Sequence, residues 1–337
     1  MARSSQAYYT NNTAHANRAV GSIYLDQLRP VDFRQWLADA KRPGYNGRKN
    51  GYAEATLAGW HRAVTQILDE AVEDGLIDSN PAKFRHTRRQ GGRQRRRTKG
   101  ARGRRLTREQ FLTLLHHIET SPCSEDIRRL LLAIAWTGCR IGELLALHWD
   151  DYRDGELFFT KSVSRGELEY RTKTGEDEDN PRVIWVVPPL AEVLELQRRW
   201  LLTTQHPALK TGLIFPARPQ QALAGARRRG AEIRWFRAPT AARKVLDKVI
   251  KQAGLPRVVP QSLRRTLENL DRGAGNEPLV RRASRGWVTE AAQEIYSQVD
   301  RGDREAQGDA LMLYLFGPDE APDEAPATET ANRGTSR

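Results

Sequence analysis

The chain has 337 residues, 39% of them hydrophobic, which is enough to bury a substantial core and more than one compact domain ordinarily needs. No apolar run approaches the roughly 20 residues that span a bilayer, no signal-peptide stretch opens the chain, and Cys123 and Cys139 have neither metal-ligand nor disulfide-framework spacing. The expectation is a two-domain cytoplasmic protein with reduced thiols and no membrane partner, and its net charge of +13 points to a polyanion.

Residues 1–20 show no hydrophobic periodicity and are expected to be disordered. From residue 21 to 84 the pattern predicts a small helical domain. A first helix is predicted from Pro30 to Ala40, with proline in its first turn, Asp32 near the N-terminus and Phe33, Trp36 and Leu37 on one side. A second is predicted within Ala53 to Ile77, where Leu57, Trp60, Val64, Ile67, Leu68, Ala71 and Val72 recur at helical spacing.

Residues 85–105 hold eleven Lys or Arg and no acid, so 13 − 11 leaves +2 for all the rest. Glycines and the lack of aliphatic residues make this segment an interdomain linker. Arg93, Arg95, Arg96 and Arg97 at its centre are candidates to strap along phosphates, with a solvated spacer as the alternative.

A second domain is predicted from residue 106 to 316. It opens with a helix over 106–119, capped by Thr107, with Leu106, Phe111, Leu114, Leu115 and Ile118 on its apolar face. A buried helix follows through Ile127 to Trp136 and breaks at Gly138, and IGELLALHWDD resumes as helix. Three strand-like runs, Glu156–Lys161, Leu168–Lys173 and Arg182–Val187, then give way to helix as far as Phe316. The acidic, Pro-rich stretch 317–337 lacks the apolar content to fold. The apolar cluster Leu311, Leu313, Tyr314 and Phe316 before it could dock on a neighbouring protomer or on its own domain.

Taken singly, the candidate chemistry is weak. Arg140 and Glu143, one helical turn apart, would make a local ion pair. Lys173 reads as a solvated lysine beside a Gly-containing turn. Arg264 is the odd one, since a guanidinium near a helix N-terminus has no dipole reason to be there and suits an anion site.

Together the pieces resemble the tyrosine recombinase (phage integrase) family, over about Ile23 to Val299. The family's first motif stands here as Thr137, Gly138, Arg140, Glu143, Leu144, Leu147, Trp149 and Asp151. Its hairpin lysine matches Lys173, its second arginine motif appears as Gln261, Ser262, Leu263, Arg264, Arg265 and Thr266, and its Gly-Trp pair is Gly286-Trp287. Nine residues beyond Trp287, where that family has its nucleophile, stands Tyr296.

The resemblance implies a mainly α fold with a small antiparallel β-sheet, built as an N-terminal helical core-binding domain and an α+β catalytic domain. It implies a site-specific recombinase that cleaves and rejoins double-stranded DNA through a 3′-phosphotyrosyl intermediate. No ATP, metal or other cofactor is implied. Arg140 and Arg264 would bind the phosphate, Lys173 would be the general acid, Trp287 would donate one hydrogen bond and Glu143 would support. Arg265 is a further DNA-binding candidate. Implied partners are a homotetramer assembled on DNA and an accessory DNA-bending or directionality protein, with the chain on the nucleoid.

One position departs from the pattern: Gln261 stands where histidine is usual, and an amide hydrogen-bonds but does not titrate. A catalytically silent DNA-binding relative and a type IB topoisomerase are therefore the alternatives.

Overall fold

The computed structural model describes residues 3–83, 105–164, 166–173, 176–230, 232–285 and 299–318. The chain divides into two compact units on either side of the basic run.

The first unit is three helices, α1 (Arg3–Val20), α2 (Pro30–Lys41) and α3 (Glu54–Glu73). Phe33, Trp36, Leu57, Trp60 and Val64 form its core, with the Trp36 and Trp60 rings stacked at 5.7 Å. Helix α1 corrects the expectation of disorder over 1–20. Its sequence is polar, yet it is held on α3 by the Tyr8 hydroxyl donating to the Gly59 carbonyl (3.0 Å), Tyr9 to Gln66 Oε1 (2.9 Å), and His15 stacked on Trp60 at 4.1 Å. Such contacts leave no apolar stripe in the sequence.

The second unit opens with α4 (Arg108–Glu119), capped as the sequence indicates by the Thr107 hydroxyl accepting from the Gln110 amide at 3.3 Å. Helix α5 (Glu125–Thr137) is buried along most of its length and packs against α4, α7 (Pro188–Thr203), α9 (Pro239–Gln252) and α10 (Pro260–Gly273). It ends at Gly138, whose φ of +58° is open to glycine at little cost. The chain then makes the short α6 (Ile141–Leu144). The longer helix expected through residue 151 stops because Leu147 and Trp149 hydrogen-bond instead to Ile214 and Gly212, at 3.0 and 2.9 Å.

Five short strands follow where three runs were expected. β1 (Tyr152–Arg153), β2 (Glu156–Phe159) and β5 (Arg182–Trp185) form an antiparallel sheet in the order β1-β2-β5, with Phe159 opposite Arg182. β3 (Ser162–Ser164) and β4 (Glu167–Glu169) form a separate hairpin. This agrees with the mainly helical fold class and its small antiparallel component.

Helices α8 (Pro219–Arg229) and α11 (Pro278–Arg285) complete the layer around α5 together with α12 (Arg301–Phe316). The apolar face of α12 lies on its own domain: Leu311, Met312 and Leu315 are buried, and Arg108 donates to the Leu315 carbonyl at 2.7 Å. Leu313 stays exposed. Apart from the active-site region, the largest buried charge network is Asp126, which accepts from Arg218 (3.0 and 2.5 Å) and from the buried Arg237 (2.7 Å). Among the described residues no helix is long and apolar enough to cross a membrane.

Candidate active site

The site is assembled from the ends of elements. The left-handed turn at Gly138 delivers Cys139 into the core and leaves Arg140 as the extended N-cap of α6. The Glu143 carboxylate reaches back over that turn, accepting from the Arg140 amide at 2.9 Å and from its guanidinium at 2.6 Å. Gly142 is required for this placement, because a Cβ there would come within 2.7 Å of the Val163 carbonyl oxygen on β3. The local Arg140–Glu143 pair of the sequence is therefore real, but Glu143 is 1% exposed and a buried carboxylate needs more than one half-exposed partner.

The second partner is Arg182, on β5, which the sequence reading did not single out. Its side chain is fully buried, lies over the Phe159 ring at 4.2 Å, and donates Nη2 to Glu143 Oε2 at 2.5 Å. Nη1 donates to the Ser284 carbonyl on α11 at 3.2 Å, and Nε faces Glu176 Oε1 at 3.9 Å. A sequence signal for it existed. Arg182 is in phase with Ile184 and Val186, both buried, so a strand with one face in the core had to bury an arginine and hence a counter-charge.

Arg264 projects from the first turns of α10 and is 6% exposed. Burial, followed by the nearby guanidiniums of Arg182 and Arg140, pulls its pKa down to about 10 against the opposing pull of Glu143. For Glu143 burial alone would raise the carboxyl, but Arg182 and Arg140 outweigh it and hold the pKa below the usual range. The Cys139 thiol, 1% exposed, is pushed up to about 11 by burial and by Glu143, so it is inert packing. Arg140, Arg182 and Arg264 against Glu143 and Glu176 give 3 − 2, a surplus of one positive charge. That matches the single negative charge of a phosphodiester.

The structure thus brings Arg140, Glu143 and Arg264 together. Lys173 is exposed in the turn after β4, next to Thr172, whose amide donates to the Glu176 carbonyl at 2.8 Å and whose hydroxyl bonds the Glu176 carboxylate. Glu176 in turn faces Arg182, which links the Lys173 turn to the arginine cluster. Gln261 is exposed one helical turn before Arg264, and Arg265 is half-buried on the same helix. Thr266 accepts from the Leu106 amide at 3.1 Å, fixing α10 to the start of the domain. Trp287 and Tyr296 lie outside the described residues, as do Arg93, Arg95, Arg96 and Arg97. Both flanks of the Tyr296 segment are anchored to the sheet by arginines: Ser284 through Arg182 on β5, and Val299 through Arg304, which donates to its carbonyl and to Glu156 on β2, both at 2.7 Å.

Residues 104–270, which include Arg140, Lys173, Gln261 and Arg264, match the model of the phage integrase family. An integrase of Mycobacterium phage L5 is 24% identical over 193 residues, which are 54% of this chain and 45% of that protein, so the match spans less than half of the relative's length. The fold resembles that of the Tn1549 transposon integrase in complex with transposon right end DNA, with a TM-score of 0.61, 14% identity, and 92% and 94% of the two chains covered. It also resembles a lambda integrase dimer bound to a COC′ core site, with a TM-score of 0.50, 18% identity, and 80% and 82% covered. Motif order, arginine geometry and fold agree, and the chain belongs to the phage integrase family of tyrosine recombinases.

Proposed function

We propose that the chain is a site-specific DNA recombinase that exchanges strands through a 3′-phosphotyrosyl intermediate. The observation that carries this is the convergence of Arg140 and Arg264, from separate motifs, on Glu143 and Arg182 in a buried cluster with one positive charge to spare. In water a guanidinium beside two others would be unfavourable. Here the cluster is preorganised, so no reorganisation is needed as charge develops on the nonbridging phosphate oxygens.

Tyr296 is the proposed nucleophile. Its oxygen attacks phosphorus, the bond to the 5′-oxygen breaks, and Lys173 donates the proton that leaves with that oxygen. The tyrosine's own proton passes to solvent or to the strand-side pocket formed with Gln261, and Trp287 adds one indole N–H to a phosphate oxygen. One ester replaces another, so the 5′-hydroxyl of a second strand reverses the step without ATP. The helical unit 3–83 serves as the second half of a clamp on duplex DNA, joined by the basic run 85–105. Lambda integrase is known as a tetramer bound to a Holliday junction, and a tetramer on DNA is the assembly proposed here, with an accessory DNA-bending or directionality protein as a further partner and the nucleoid as its location.

A specific observation supports a second reading. Gln261, exposed at the head of α10, cannot exchange protons, as a silent DNA-binding relative would tolerate. Incubating the purified protein with a fragment library of duplex DNA, denaturing, and sequencing the DNA that stays attached separates the readings. Attachment through a 3′-phosphate at a defined sequence, with rejoining to a second duplex, is the expected result. Tight binding without attachment would mean the silent relative, and attachment with supercoil relaxation but no exchange would mean a topoisomerase.

A further inference from the structure

Every group assigned above to phosphate binding or proton transfer reaches the site from the end of an element, where backbone freedom is greatest. Arg140 is an N-cap, Lys173 sits in a turn, and α11 ends where the Trp287 and Tyr296 segment begins. Something must hold these ends in one geometry before DNA arrives. Only one described side chain touches all three surroundings.

We infer that Arg182 is a positioning residue, whose single buried guanidinium ties the Arg140–Glu143 pair, the Lys173 turn and the end of α11 into one arrangement. The inference rests on the recombinase reading above. Arg182 touches no DNA, since its side chain is fully buried beneath the site. Its planar fork is suited to the task in a way that an ammonium is not, because three differently placed acceptors are met by Nη2, Nη1 and Nε at once. The rigid support is the β2–β5 pairing, in which Arg182 lies opposite Phe159 and packs its guanidinium on that ring.

The chemical consequence runs through Glu143. The groups that face this carboxylate are Arg140 on its own turn, Arg182 from β5, Arg264 from α10 and the Cys139 thiol before α6. Arg140 is half-exposed and Arg264 contributes no hydrogen bond to it in the set above, so Arg182 is the partner that keeps a buried carboxylate ionised. A protonated Glu143 would lose its charge-assisted grip on the Arg140 guanidinium. Arg182→Met keeps the volume and removes the charge, so burial then drives the Glu143 carboxyl upward. The sign follows: the ionised, competent form is lost as pH falls, and the acid limb of the rate moves to higher pH.

The test is single-turnover covalent attachment to a nicked suicide duplex carrying the sequence at which the wild-type protein attaches, measured from acid to alkaline pH. Arg182→Met is expected to slow attachment by about 10²-fold at neutral pH, the scale of a misplaced catalytic group, with recovery as pH rises. Adding Glu143→Gln to that variant removes the buried charge and should give a rate that no longer changes with pH over the acid range. Arg182→Lys should leave the acid limb where the wild type has it while lowering the rate, because the charge remains and the fork does not. This variant decides the matter if Arg182→Met does not fold. Full wild-type rates in the Lys variant, or a Met variant slowed equally at every pH, would overturn the positioning role and leave the recombinase reading intact. No attachment by the wild-type protein to any fragment would overturn both.

Discussion

Arg264→Met should make the free protein more stable and the enzyme far slower. The guanidinium is buried beside two others, and its fall from an ordinary value above 12 to about 10 corresponds to about 3 kcal/mol against the charged form, at about 1.4 kcal/mol per pH unit. Methionine of similar volume removes that penalty but also the hydrogen bonds of the guanidinium, at about 1 kcal/mol each, which leaves a net gain of about 1–2 kcal/mol. For a unit of this size the gain raises Tm by about 2–8 °C. The sign check for a base with a lowered folded pKa is that its penalty is complete below about pH 10 and fades as pH rises toward the ordinary value. The gain should therefore be constant between about pH 6 and 9. Loss of one preorganised donor to the transition state should lower the attachment rate by about 10²- to 10³-fold. Calorimetry without DNA and single-turnover attachment with it measure the two effects on the same preparation. A Tm that drops by several degrees would show that Arg264 is a structural anchor, and would refute its assignment as a strained phosphate ligand.

Gln261→His should raise the attachment rate, by at most about 10²-fold because Lys173 and water already move protons, with little change in binding; a slower His variant would mean the pocket is built around an amide. Replacing Arg93, Arg95, Arg96 and Arg97 by Gln should weaken binding to all sequences alike and flatten the dependence of affinity on salt, whereas an unchanged slope would make the run a passive spacer. Asp126→Asn should cost about 3–5 kcal/mol in denaturant unfolding, since it strands the buried Arg237. Burial alone would raise the Asp126 carboxyl, but Arg218 and Arg237 hold it well below the usual range. Its stabilisation is thus present above about pH 4 and lost as pH falls further, so the wild-type and Asn proteins should converge in acid.

What could be read from the sequence was local or carried by a motif. The Thr107 cap with Gln110, the proline start of α2 and the glycine end of α5 each depend on residues within one turn, and the structure has all three. The pairing of Arg140 with Glu143 was legible for the same reason. The features that escaped depend on partners distant in the chain. Helix α1 is polar by itself and is fixed by Trp60, Gly59 and Gln66, about fifty residues away. Helix α6 is cut short by pairing with residues 212–214. Arg182 was hidden inside a run read only as a strand, although its phase with Ile184 and Val186 placed it in the core. Its three partners, Glu143, Glu176 and Ser284, come from separate elements, and spacing along the chain gives no hint of them.

The central claim is that Tyr296 is the nucleophile of a site built on Arg140 and Arg264. The most direct measurement compares wild type and Tyr296→Phe on the same nicked suicide duplex, scoring binding by mobility shift and covalent attachment after denaturation, with the attached peptide identified by mass spectrometry. The account predicts equal binding, attachment only by the wild type, and Tyr296 as the modified residue, since the substitution removes one hydroxyl and nothing else. Adduct formation by the Phe variant, or a modified residue elsewhere in the chain, would contradict it.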